Sequence, residues 1–170
     1  MLPMAEGMTG FHGKLPVAGD FLTRGLPSGF AAFWDGWAAR HLARREDWPD
    51  GGLRLRLASG GRVAAGVAVP GADRVGRRFP LAAFLIAADL PGPPGLDPWC
   101  DAAFALLRGA QEDGLMPEEL DERLQGLAPP DAAGEGSASG SMQLWSRGRP
   151  AAACDPGNPQ EALDRLFSCS

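Results

Sequence analysis

Gly10-Phe11-His12-Gly13-Lys14-Leu15-Pro16-Val17-Ala18-Gly19-Asp20-Phe21-Leu22-Thr23-Arg24-Gly25-Leu26-Pro27 is the stretch around which the chain is organised. Phe11, Leu15 and Phe21 are large and apolar, and each favours burial. Gly13 and Gly19 admit backbone shapes that other residues resist. Pro16 and Pro27 each fix one torsion and restrict the residue before them. Lys14, Asp20 and Arg24 are set inside this stiff framework. A freely exposed loop has no need of so many bulky and constrained residues. The stretch therefore reads as a short strand followed by a tightly shaped, partly buried loop.

A second stretch has the same character: Pro70-Gly71-Ala72-Asp73-Arg74-Val75-Gly76-Arg77-Arg78-Phe79-Pro80-Leu81. It joins two apolar runs and again sets an Asp and several Arg beside glycines. The two loops are expected to lie together, with Asp20 or Asp73 paired to Arg24, Arg74 or Arg77. Arg suits that role because its planar fork binds a carboxylate through two hydrogen bonds. Lys14, Asp20, Arg24, Asp73, Arg74 and Arg77 thus form the strongest polar constellation in the chain. It has two readings: a staple between loops, or a site for a phosphate or carboxylate. His12, beside Phe11 and Gly13, is read as a hydrogen-bonded structural residue.

Outward from these blocks, the remaining elements follow from periodicity. Thr9 to Leu15 is the first strand. Ser28 is placed to cap a helix, in which Phe30, Phe33, Trp34, Trp37 and Leu42 recur at helical spacing; this stripe reads as core and the helix as ending near Glu46. Leu53-Arg54-Leu55-Arg56-Leu57 alternates as a half-buried strand does. It forms a hairpin with Arg62 to Val69 across Ser59-Gly60-Gly61. Phe79 to Ala87 is nearly all apolar and reads as a central strand buried on both faces. Asp97 is expected to cap a helix opened by Pro98, with Trp99, Ala103, Leu106 and Leu107 inward and Cys100 as a small core filler. Pro117 opens another helix. Met142 to Ser146 rejoins the sheet, Pro150 to Cys154 is a weaker strand, and Asn158 caps a last helix. Residues 1–8 read as a flexible start and 128–141, rich in Pro, Gly, Ser and Ala, as a mobile loop.

The 170-residue length predicts one domain over 1–170. The loose alternation of strands and helices predicts an α/β fold: a three-layer α/β/α sandwich with a mixed sheet. Hydrophobic residues at 45% mark a globular chain, and a formal net charge of −5 argues against non-specific nucleic-acid binding. The Arg groups 40, 44, 45 and 74, 77, 78 read as a solvated helix face and a structural loop. Cys100, Cys154 and Cys169 form no C-x-x-C pair and have only His12 and His41 to help, so neither a metal nor another cofactor is expected. Free thiols, no signal peptide and no membrane-length apolar run point to the cytoplasm.

Catalytic signatures are missing from the sequence. Gly13-Lys14 is no P-loop, because Met8 stands where the first glycine is needed and Leu15 where the hydroxyl is needed. Neither a nucleophile elbow, nor H-E-x-x-H, nor a dinucleotide glycine fingerprint occurs.

The two blocks resemble the TagF (also called ImpM) family of type VI secretion accessory proteins. The family opens with an aromatic-rich G-K-L/M-P-x-x-G-D-F-x-x-R-x-L-P pattern followed by W-D-x-W. Here these are Gly10 to Pro27 and Trp34-Asp35-Gly36-Trp37, and Pro70 to Leu81 is similar to the family's P-S-x-D-x-V-G-R-x-F-P-L. The resemblance makes Gly13, Pro16, Gly19, Phe21, Trp34, Trp37, Gly76, Phe79 and Pro80 the structural residues of the motifs. It makes Lys14, Asp20, Arg24, Asp73, Arg74 and Arg77 the charged ones that set the fold or contact a partner. It implies a cytoplasmic, non-enzymatic regulator with an α/β/α fold. Such a protein represses type VI secretion after translation by binding a forkhead-associated-domain scaffold, in systems that a threonine kinase and phosphatase switch. The rivals are a small anion-binding or hydrolytic enzyme built on the charge cluster, and a structural subunit of the secretion machine.

Overall fold

The alternating and apolar runs build one sheet. In the computed structural model, which describes residues 7–131 and 142–167, seven strands form: β1 (Met8–Gly13), β2 (Leu22–Arg24), β3 (Leu53–Ser59), β4 (Arg62–Val69), β5 (Leu81–Ala87), β6 (Met142–Trp145) and β7 (Ala152–Cys154). Their order across the sheet is β2-β1-β5-β4-β3-β6-β7. The helices are α1 (Ser28–His41), α2 (Pro93–Asp113), α3 (Pro117–Gln125) and α4 (Gln160–Phe167). Residues 1–6 of the expected flexible start, 132–141 of the expected mobile loop, and Cys169 lie outside the described residues.

The sheet was expected to be mixed; every pairing between these strands is antiparallel. The physical reason lies in the connections. β1 to β2, β3 to β4 and β4 to β5 are each spatial neighbours joined by a loop, so each pair folds back as a hairpin, and no helix carries the chain between parallel neighbours. The apolar run of β5, buried at all seven positions, reports cover on both faces rather than parallel pairing.

That cover comes from two core clusters. One contains Leu53, Leu55, Leu57 and Phe84 of the sheet, with Trp34 and Trp37 of α1 and Leu163 and Leu166 of α4. The other contains Val67, Val69, Leu81 and Ala83, with Trp99 and Leu107 of α2 and Leu120 and Leu124 of α3. Strand side chains alternate between faces, so the two clusters lie on opposite sides of the sheet.

Several local expectations shift. α1 has Pro27 at its cap position with no side-chain cap, and Ser28 is already helical. It ends at His41, where the Leu42 and Ala43 N–H groups both turn back to the Ala38 carbonyl. α2 begins at Pro93, not beside Asp97, and Pro98 falls inside it. Proline is pre-shaped for a first turn, so Pro93 and Pro94 serve as the start that Pro98 was expected to provide. β2 was not foreseen: its three residues sit inside the shaped loop and pair with β1 at Phe11, His12 and Gly13.

The two motif loops leave the same end of the sheet. His12 pairs with Ala82 and Val69 pairs with Leu81, so the end of β1 lies beside the β4–β5 turn.

Candidate partner-binding site

The approach of the loops starts at Gly13. Its φ is +146°, and a Cβ there would collide with the Pro80 carbonyl oxygen and lie 2.7 Å from Leu81 Cα. Only glycine lets β1 leave the sheet this close to the second block. Leu15, fully buried, then anchors the loop, and the Ala18 N–H returns to the Leu15 carbonyl. From the other side the Arg74 N–H donates to the Ala18 carbonyl at 3.1 Å.

Asp73 is the centre of the junction. Its side chain has no exposed surface. One carboxylate oxygen accepts from Lys14 Nζ at 3.1 Å and Arg77 Nε at 2.8 Å. The other accepts from the backbone N–H groups of Val75 at 3.1 Å and Arg77 at 2.9 Å. Burial pushes the Asp73 carboxyl up. The Arg77 N–H, the Lys14 ammonium, the Arg77 guanidinium and the Val75 N–H together outweigh that push and hold the carboxyl well below the usual carboxylate range. Gly76, at φ +88°, completes the turn, with its N–H on the Asp73 carbonyl. Arg77 also reaches across to the Gly19 carbonyl at 2.9 Å.

An aromatic stack continues from this staple. Lys14 Nζ lies 4.8 Å from the centre of the Phe21 ring. Phe21 stacks on His12 and meets Phe79 edge-on at 4.8 Å. His12 is held by Thr23 Oγ1 at 2.7 Å and Asp35 Oδ1 at 3.0 Å. Asp35 belongs to Trp34-Asp35-Gly36-Trp37. Trp34 and Trp37 point into the core and stack at 5.4 Å, with Trp37 Nε1 donating to the Pro156 carbonyl at 2.8 Å. The second short motif is therefore tied to β1 through its acid while its tryptophans fill the core.

The charged candidates divide. Lys14, Asp73 and Arg77 meet. Asp20 does not join them: it is exposed, and its carboxylate accepts from the Phe21 N–H at 2.8 Å. Arg24 turns away to Glu118 of α3 at 3.3 Å. Arg74 is exposed, and a Cβ placed on Gly19 would lie 3.2 Å from its Nη2. Pro16 is exposed, while Phe79 and Pro80 are buried. Phe21, expected to be buried, is 42% exposed, although it packs against His12 and Phe79 and has Lys14 Nζ over its ring. Val75 at the loop tip is 69% exposed.

A further polar cluster was missed by sequence reasoning. Arg54 and Arg56, expected on the solvated side of a half-buried strand, are buried. Arg54 binds Asp97 at 2.9 Å and Asp101 at 2.7 Å. Arg56 donates to the Pro91 carbonyl at 2.9 Å and the Leu90 carbonyl at 2.8 Å. Asp97 also accepts from Trp145 Nε1 at 2.9 Å. The signal available was the spacing of Asp97 and Asp101, one helical turn apart on a helix that covers the sheet. Burial pushes the Arg54 guanidinium down, and the hydrogen bonds to Asp101 and Asp97 more than reverse it. Cys100 is buried nearby, and burial pushes its thiol up to about 12, which keeps it protonated and inert. Among the described residues no group of three or more His, Cys, Asp or Glu converges to hold a metal ion. None of the described helices is long and apolar enough to cross a membrane.

An antiparallel α/β sheet whose two hairpin loops are locked by one buried carboxylate is the framework, and comparison relates its first part to a type VI secretion system-associated domain. Residues 10–54 match the TagF N-terminal domain, described as type VI secretion system-associated, which supports the TagF resemblance read from the motifs. The match takes in the first loop and the Trp34–Trp37 motif; Pro70 to Leu81 lies beyond it and is joined to it by the Asp73 staple. The chain is similar along its length to the crystal structure of PA0076 from Pseudomonas aeruginosa PAO1, at 26% identity and a TM-score of 0.74, covering 94% of each chain. No curated protein matches the chain.

Proposed function

We propose that the chain is a cytoplasmic, non-enzymatic restraint on type VI secretion that works by holding a partner, the forkhead-associated-domain scaffold of the same apparatus. The observation that carries this reading is the division of labour in the paired loops. Asp73 is wholly engaged by four donors and faces inward, while Phe21, Arg74 and Val75 stand on the outer surface of the same loops. A rigid platform bearing an exposed aromatic, an aliphatic tip and a guanidinium is suited to recognition. A reacting centre needs its acid accessible, and this one is enclosed, which favours the binding reading over the anion-site or hydrolytic one. We also read the molecule as a three-layer α/β/α sandwich, supported by the helix-lined clusters on opposite faces of the sheet.

The test is a titration of the purified chain against the scaffold from the same gene cluster, repeated with Arg74→Ala and Val75→Asp. Both sites are exposed, so the fold is expected to survive. Saturable binding that weakens by about tenfold or more with Val75→Asp is the expected result. Absence of saturable binding, together with unchanged secretion when the gene is deleted, overturns the reading.

A further inference from the structure

His12, Thr23 and Asp35 come from three elements, and the register of the sheet brings them together. Strand side chains alternate between faces. Phe11 belongs to the core cluster under α2 and α3, so His12, the next residue of β1, points to the opposite face, where α1 lies. Thr23 of β2 is the direct cross-strand partner of His12 and shares that face, while its neighbour Arg24 reaches the other way, to Glu118 of α3. α1 completes the group, because Trp34 and Trp37 in the core hold Asp35 against His12.

The hydrogen bonds run in one order. Asp35 Oδ1 lies 3.0 Å from His12 Nε2, and Thr23 Oγ1 lies 2.7 Å from His12 Nδ1. A carboxylate only accepts, so the neutral ring carries its proton on Nε2 and donates it to Asp35. Nδ1 is then a lone pair, and the Thr23 hydroxyl donates to it. Acid, imidazole and hydroxyl in this order are the parts of an activated nucleophile: a hydroxyl within reach of a base that a third group orients. His12 is 6% exposed and packs against the Phe21 and Phe79 rings, which hold the imidazole in place. Thr23 is exposed on an edge strand of the sheet, open to a reactant from solution.

We propose that Thr23 is a self-acylation site, which takes an acyl group from an activated ester or thioester. Thr23 Oγ1 attacks the carbonyl carbon of the donor while its proton passes to His12 Nδ1, and Asp35 stabilises the imidazolium that forms. The tetrahedral adduct collapses with loss of the alkoxide or thiolate leaving group, which takes the proton from Nδ1. The products are acyl-Thr23 and the free alcohol or thiol, with the imidazole neutral again. The donor is an activated one, because an open strand edge offers the developing oxyanion water rather than an enclosed set of donors. The reaction modifies the chain itself and stands apart from the binding reading: neither depends on the other.

The experiment treats the full chain with p-nitrophenyl acetate and follows nitrophenolate release together with acid-quenched mass spectrometry and peptide mapping. One acetyl group on Thr23, gained about a hundredfold faster than on Ser28, is the expected result. Ser28, an exposed hydroxyl at the start of α1, is the internal reference. Lys14, the chain's one lysine, is buried on Asp73, so side-chain amine acylation does not obscure the site. Thr23→Val keeps the branched shape and removes the label. His12→Gln slows labelling by about a hundredfold. Should that variant lose its fold, Asp35→Asn answers the same question, since the Asp35 side chain is half exposed. Its amide donates to Nε2 and moves the ring proton to Nδ1, where it blocks transfer from Thr23. Asp35→Asn should lower the rate at Thr23 by about tenfold or more and leave Ser28 unchanged, which a loss of structure alone would not do. Labelling of Thr23 no faster than of Ser28 overturns the proposal, as does a rate at Thr23 that both His12→Gln and Asp35→Asn leave unchanged.

Discussion

Asp73 concentrates the chemistry of the junction in one side chain. Its depressed carboxyl has a definite consequence for stability. The folded state binds a proton less readily than the unfolded chain does, so stability rises with pH between the depressed value and the ordinary one. The contribution is complete above the unfolded Asp value of about 3.9 and drains away as pH falls below it. Urea midpoints for wild type and Asp73→Asn should therefore differ most at neutral pH and converge in acid. A constant gap from pH 7 to 3 would mean that the carboxylate charge is not what holds the loops. Gly13 is the other decisive residue. Gly13→Ala forces an unfavourable φ and a collision with Pro80, and it should cost about 3 kcal/mol in chemical denaturation. A loss below about 1 kcal/mol would show that the loop relaxes around the new methyl group.

Between elements, β3 and α2 are joined by more than apolar contact. Arg54 is enclosed, and its charge is matched only by Asp97 and Asp101 among the ion pairs it makes. Removing both acids strands the guanidinium in the interior. The Asp97→Ala, Asp101→Ala double variant should lose about 3–5 kcal/mol, which a urea curve reads directly. Each single change should cost less than half of that, because the other acid remains; a double variant no worse than either single one would show water reaching Arg54. At this scale the sequence misled for a plain reason. Leu-Arg-Leu-Arg-Leu has the alternation of a strand with one wet face, but α2 lies over that face and brings its own carboxylates. Its sequence context places Asp97 at a helix start. The helix begins earlier, at Pro93, so its carboxylate is left to serve Arg54 and Trp145 instead.

Across the whole molecule, the loops, the core and the candidate surfaces form one chain of support. Trp34 and Trp37 fix α1 in the core, Asp35 between them holds His12, His12 carries Phe21, and Lys14 beneath Phe21 reaches Asp73. Sequence by itself determined the parts whose cause is local. Apolar periodicity set the hairpin of β3 and β4, the buried β5 and, except for the exposed Phe33 of α1, the inward faces of the helices, since those patterns record which side of each element meets water. It also pointed to two unusually stiff loops that meet, because glycines and prolines at such density have little use on an open surface; which of Asp20 and Asp73 would pair, and with which of Arg24, Arg74 and Arg77, it left open, and the ion pair that crosses between the loops is Lys14 with Asp73. Only the tertiary structure decided the rest. The antiparallel order of the sheet depends on which strands become neighbours, and local pattern does not encode that. The same holds for the exclusion of Asp20, Arg24 and Arg74 from the staple, the exposure of Phe21, the burial of Arg54 and Arg56, and the meeting of Thr23, His12 and Asp35. Each follows from what a distant segment places against the residue, and a charge or ring takes its role from that neighbour rather than from its place in the chain.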